Sequence, residues 1–130
     1  MSETEKITIN LGLVDLGQVD LLVQEGFYSN RTDFIRTAIR NQLSQHAEVV
    51  RQTVARKTMV LGLEHYARRD LEAVKEAGET LEIKVLGLAS IDSDVSPELA
   101  QETISSIVVL GALRASPAVK SALSGRIRSS

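Results

Sequence analysis

Six residues near the start of the chain, Lys6-Ile7-Thr8-Ile9-Asn10-Leu11, set the first constraint on the fold. Their side chains alternate: Ile7, Ile9 and Leu11 fall on one face of an extended segment, and Lys6, Thr8 and Asn10 on the other. One strand alone does not persist in water, because its backbone groups need a pairing partner. No second strand follows nearby to make a hairpin. The simplest partner is the same strand of a second copy, antiparallel across a two-fold axis. The alternative is a plain half-buried edge strand.

In the dimeric arrangement Lys6, Thr8 and Asn10 appear twice on one exposed face. A two-stranded ribbon of that width fits the DNA major groove, where ammonium, hydroxyl and amide groups reach base edges.

Two helices are predicted next. For the first, Asp15 is the expected cap, with Gln18 three residues on as in a capping box and Val14 stapled onto Val19. Leu16, Val19, Leu22 and Val23 form its apolar stripe, and Gly26 supplies the stop. The second helix starts at Asn30, with Asp33 three residues later. Phe34, Ile35, Ala38, Ile39 and Leu43 recur at helical spacing, while Arg36 and Arg40 lie opposite. Backbone N–H groups at this helix start form a natural phosphate clamp, with Ser29, Asn30, Arg31 and Thr32 beside it.

The run Gly26-Phe27-Tyr28-Ser29-Asn30-Arg31-Thr32-Asp33-Phe34-Ile35-Arg36-Thr37-Ala38-Ile39-Arg40 resembles the signature of the ribbon–helix–helix family of bacterial DNA-binding proteins. It follows the strand and first helix in the family's order, and the resemblance covers about residues 5–45. It implies an intertwined homodimer, base reading by Lys6, Thr8 and Asn10, and phosphate anchoring by Ser29, Asn30, Arg31 and Thr32. One departure is visible. Family strands often carry Arg or Lys on the DNA face, whereas Thr8 and Asn10 are neutral, so affinity is expected to depend on neighbouring dimers binding together. The net charge of −2 does not advertise nucleic-acid binding either. A DNA reading therefore rests on where charges sit in an assembly.

From Ser44 to Ala77 there is no Pro, and only Gly62 interrupts. Val50, Val54, Val60, Leu63, Ala67, Leu71 and Val74 recur mostly at intervals of three or four. One long helix is predicted, or two joined near Gly62, ended by Gly78. Its balanced charges read as a solvated face with helix-spaced ion pairs. The histidines, His46 and His65, are 19 residues apart and form no helical ligand pair. Nickel-responsive family members use a His-rich site with a Cys, which is absent here, so no metal or other cofactor is expected.

An internal echo follows. Ile83-Lys84-Val85-Leu86-Gly87 returns 24 residues later as Ile107-Val108-Val109-Leu110-Gly111. Each copy leads to a Ser-Pro pair, Ser96-Pro97 and Ser116-Pro117, which reads as a helix cap and first residue. Leu99, Ala100, Thr103 and Ile104 are expected inside on the first of these helices, and Val119, Ala122 and Leu123 on the second. Gly87 and Gly111 read as tight bends. The unit is strand, loop, short helix, with a period in the range of leucine-rich-type solenoids. Such arrays need about three repeats for a stable core. Two units are therefore completed by another copy, or pack as a compact βαβα subdomain on the middle helix. Asp92 and Asp94 read as turn residues.

The predicted class is α+β. A ribbon–helix–helix domain spans 1–45, a helical connector 46–80, and a βαβα repeat module for oligomerisation 81–130. The absence of Cys removes disulfides, thiolate metal sites and cysteine catalysis. No phosphate loop or nucleophile–base pair is present, so an enzyme is not expected. The polar start Met1-Ser2-Glu3-Thr4-Glu5 is no signal peptide, and no apolar run suits a membrane span, which points to the cytoplasm.

The leading functional expectation is a sequence-specific transcription factor, most often a repressor. Its partners would be double-stranded DNA and itself, with no membrane. The alternatives are the antitoxin of a toxin–antitoxin pair, with a toxin as partner, and a polymerising, DNA-organising structural protein.

Overall fold

The computed structural model describes residues 4–128. The chain divides between Thr53 and Val54 into two compact units.

In the N-terminal unit, residues 4–12 are exposed and form no hydrogen-bonded strand within the single chain. Helix α1 (Leu13–Gln24) begins earlier than expected, with Gly12 as its cap residue. Asp15 is therefore not the cap. It lies inside the first turn, where its charge still complements the positive helix end. The staple is absent too, since Val14 is 77% exposed. The stop is as predicted: Gly26 adopts φ +87° and Phe27 N–H donates back to Leu22 O at 3.0 Å. Helix α2 (Arg31–Gln45) starts where Asn30 places it. The Asn30 Oδ1 accepts from Asp33 N–H at 2.8 Å, and Asp33 Oδ2 accepts from Ser29 N–H at 2.9 Å. Tyr28 packs edge-on to Phe34, ring centroids 4.9 Å apart. Helix α3 (Ala47–Lys57) runs across the boundary between the units.

The long middle helix does not exist. Helix α3 ends at Lys57, and Thr58 takes a positive φ of 54°, a stop usually made by Gly or Asn. Strand β1 (Val60–Tyr66) follows, then helix α4 (Arg68–Glu76). Inside α4, Asp70 Oδ2 accepts from Ala67 N–H at 2.9 Å and closes the helix start. Segment 46–80 is therefore not a helical connector, because much of it belongs to the repeat.

The rest of the C-terminal unit is strand β2 (Leu81–Ile91), helix α5 (Pro97–Thr103), strand β3 (Ile104–Arg114), helix α6 (Pro117–Ala122) and strand β4 (Ile127–Arg128). All neighbouring strands pair in parallel, in the order β1-β2-β3-β4. Both Ser-Pro caps form as predicted: Ser96 Oγ accepts from Leu99 N–H at 3.1 Å, and Ser116 Oγ from Val119 N–H at 3.2 Å. Ile104 is buried but opens β3 rather than closing α5.

One core serves this unit. Ile83, Val85, Ala89 and Ile91 of β2 cluster with Leu71 of α4, Leu99 and Ala100 of α5, and Val119 of α6. The buried Thr103 hydroxyl is satisfied by donating to Leu99 O at 2.7 Å. Opposite this face, strand alternation and register align Leu61, Leu86 and Leu110 in one row and Leu63, Leu88 and Ala112 in the next.

Gly87 and Gly111 are not bends at strand ends. They sit inside eleven-residue strands at φ +140° and +116°. Register stacks Gly62, Gly87 and Gly111 across three strands. A Cβ on Gly87 would lie on the Gly62 carbonyl oxygen, and one on Gly111 on the Gly87 carbonyl oxygen. Only glycine permits this approach of backbone to backbone.

Candidate nucleic-acid interface

The candidate site lies in the N-terminal unit and has two parts. Lys6, Thr8 and Asn10 are exposed along the extended segment. Their apolar neighbours are uncovered as well: Ile7 is 74% exposed and Ile9 58%. Beside them, Ile9, Leu11, Val19, Leu22, Phe34 and Ile35 line an apolar groove of about 470 Å³. Across α1 and α2, Val19 alone is buried. Ala38, Ile39 and Leu43, expected in a core, are exposed in the single chain.

The second part is the start of α2. Asn30 closes the cap with its side chain, and Ser29 spends its N–H on Asp33. The N–H groups of Arg31 and Thr32 fall in the first helical turn, where no intrahelical acceptor exists. They, with the exposed Thr32 side chain, are the groups here best placed to meet an anion.

Arg31 has a partner that the sequence did not reveal. Its Nε and Nη2 donate to the two Asp20 oxygens at 2.7 and 2.8 Å, tying α2 to α1. Eleven residues separate the pair, so no helical spacing announced it. The Arg31 hydrogen bonds hold the Asp20 carboxyl below its ordinary value, and Asp20 raises that of Arg31. Because the folded value of Asp20 is lowered, the pair's contribution is present at neutral pH. It is lost as pH falls through that lowered value. No hydrogen bond or ion pair joins the Lys6–Asn10 set to the Ser29–Thr32 set among the described residues.

The histidines stay apart. His46 lies 3.4 Å from Gln42 Nε2, while His65 Nδ1 is 2.6 Å from Ser90 Oγ on the neighbouring strand. Among the described residues, no group of three or more His, Cys, Asp or Glu could hold a metal ion. Nor, among them, is any helix long and apolar enough to cross a membrane.

Comparison with known proteins takes the assignment further. The model of the ribbon–helix–helix transcriptional regulator family matches residues 2–120, and the chain belongs to that family. Members of the family bind DNA and dimerise. The resemblance read from about residues 5–45 thus extends over nearly the whole chain. The chain is also similar to an uncharacterized protein of Methanocaldococcus jannaschii, 37% identical over 43 residues. That match covers 33% of this chain and 44% of the relative, so the chain spans less than half the relative's length. No solved structure matches the chain.

Proposed function

We propose that the protein is a sequence-specific DNA-binding transcriptional regulator acting as a repressor. Two copies pair their residues 6–11 into a ribbon that enters the major groove. Lys6, Thr8 and Asn10 read base edges, while the α2 start built by Ser29, Asn30, Arg31 and Thr32 meets the flanking phosphates through the Arg31 and Thr32 N–H groups and the Thr32 hydroxyl, with the Arg31 guanidinium held by Asp20. The C-terminal unit drives self-association, which adds avidity over repeated sites and offsets the modest basic charge. Its place of action is the cytoplasm, with the DNA.

One observation carries this reading: an alternating segment lies uncovered beside an apolar groove, in a pair of helices that buries only Val19. A second copy would cover that surface and complete the ribbon in one step. An antitoxin is less well supported. Its toxin-binding tail is commonly disordered until bound, whereas the C-terminal unit here has a core of its own.

The test is fluorescence anisotropy with the protein's own upstream DNA and a scrambled duplex, at two salt concentrations. Thr8→Ala/Asn10→Ala should lower the preference for the specific duplex about tenfold to a hundredfold, since a good base contact is worth about 1–3 kcal/mol. Binding that ignores both sequence and mutation while remaining salt-sensitive would overturn the base-reading role.

Asp20→Asn offers a second check. It should release Arg31 toward phosphate, tighten binding to both duplexes and steepen the salt slope by about one unit per added phosphate contact. An unchanged slope would leave Arg31 as a helix-to-helix tie and nothing more.

A further inference from the structure

The two edges of the C-terminal sheet are unlike. Among the described residues the β4 edge is two residues long, Ile127–Arg128. Just before it, Arg126 Nη1 donates to Gln101 O at 2.6 Å and Ile104 O at 2.8 Å, fastening this end of the unit. The β1 edge is seven residues long. Sheet edges are commonly blunted by Lys, Pro or very short strands. Met59–Tyr66 contains no Lys, Arg or Pro. It leaves Val60 42%, Leu61 63% and Leu63 57% exposed.

The glycine stack ends at this same edge. Gly87 and Gly111 each receive the carbonyl of the preceding strand's glycine where a Cβ would stand. Gly62 keeps the same backbone conformation, φ +138°, yet nothing lies within 4 Å of its Cβ position. The conformation that admits a neighbouring backbone is thus present one strand beyond the last neighbour within the chain. The leucine rows stop there too, with Leu61 and Leu63 as their uncovered ends.

We infer that the β1 edge is the self-association surface of the C-terminal unit, and that its occupant is β1 of a second copy, antiparallel across a two-fold axis. A peptide strand is the partner that satisfies a row of unpaired N–H and C=O groups. Head-to-tail stacking would set seven residues of β1 against a stepped edge, the two described residues of β4 and then residues 109–114 of β3. Pairing β1 with itself matches equal edges and closes the assembly. The Leu63 row then continues across the pair, with Leu63 meeting its own copy and Leu61 lying beside His65 of the second copy. This inference rests on the proposed self-association and gives it a location.

The chain has no Cys, so single cysteines report cleanly in the full-length protein. Leu63 is the midpoint of β1, and an antiparallel pair of equal edges brings the two Leu63 side chains closest. Leu63→Cys should cross-link with a short bis-maleimide at least about tenfold faster than Ile127→Cys on the opposite edge. Adding Leu61→Lys to Leu63→Cys should slow that reaction at least about tenfold, with the circular dichroism spectrum unchanged. Cross-linking no faster than Ile127→Cys, or indifferent to Leu61→Lys, overturns the β1 assignment. Sedimentation of an Ile7→Lys/Ile9→Lys variant, whose residues 6–11 can no longer pair two copies, separates the two levels. A monomer at all concentrations removes self-association itself. An assembled protein without the β1 cross-link removes only its location.

Discussion

Gly87→Ala should unfold the C-terminal unit or cost at least about 4 kcal/mol, a size reserved for a few mechanisms. Two effects coincide at this position. The backbone adopts φ +140°, where L side chains are strained by about 1–3 kcal/mol. The added methyl would also lie on the Gly62 carbonyl oxygen, so β1 and β2 must separate. Gly111→Ala should behave alike through the Gly87 carbonyl. Gly62→Ala carries the strain without an internal clash and should cost markedly less in the isolated chain. Urea unfolding followed by circular dichroism reads the series. Equal losses at all three glycines would refute the close-approach explanation and leave strain alone.

Ile83→Ala should destabilise the same unit by about 2–5 kcal/mol, the range for emptying a packed aliphatic site. Ile83 is 0% exposed and pairs in register with Ile107, itself 0% exposed. Strand β3 flanks that site and the buried cluster that includes Leu71, Leu99 and Val119 encloses it, so it cannot collapse readily onto a small residue. Against a typical domain stability of about 5–15 kcal/mol, this is a large fraction. Leu61→Ala makes the comparison. Its side chain is 63% exposed, so its loss should scarcely change unfolding of the single unit. A midpoint for Ile83→Ala within experimental error of the unsubstituted protein would mean that this cluster is not the stabilising core.

What could be read beforehand divides along physical lines. Asn30, Ser96-Pro97 and Ser116-Pro117 act through bonds within a few residues, and all three helix starts appear where the sequence puts them. The 24-residue echo likewise marked two strands and two helices correctly, though both strands run longer than the echo. Strand β1 was hidden because Val60, Leu63 and Ala67 also fit a helical stripe. The helix stop before it is Thr58, a residue that does not advertise positive φ. A signal was nonetheless present: Val60-Leu61-Gly62-Leu63 matches Val85-Leu86-Gly87-Leu88, with a third version at Val109-Leu110-Gly111-Ala112. The candidate site was legible as residue types along one segment and one helix start. The Asp20–Arg31 tie was not, since contact between residues eleven apart on different helices is made by tertiary packing alone.

The sheet order has a consequence for heredity. Each strand touches only the strands before and after it in sequence, and Gly87 and Gly111 are each packed by the glycine of the strand just before. A duplication that copied one strand, its glycine and its helix would insert between existing neighbours and find the same contacts on both sides. The C-terminal unit can therefore change its length by whole repeats in a single genetic event, leaving the helices that precede it untouched.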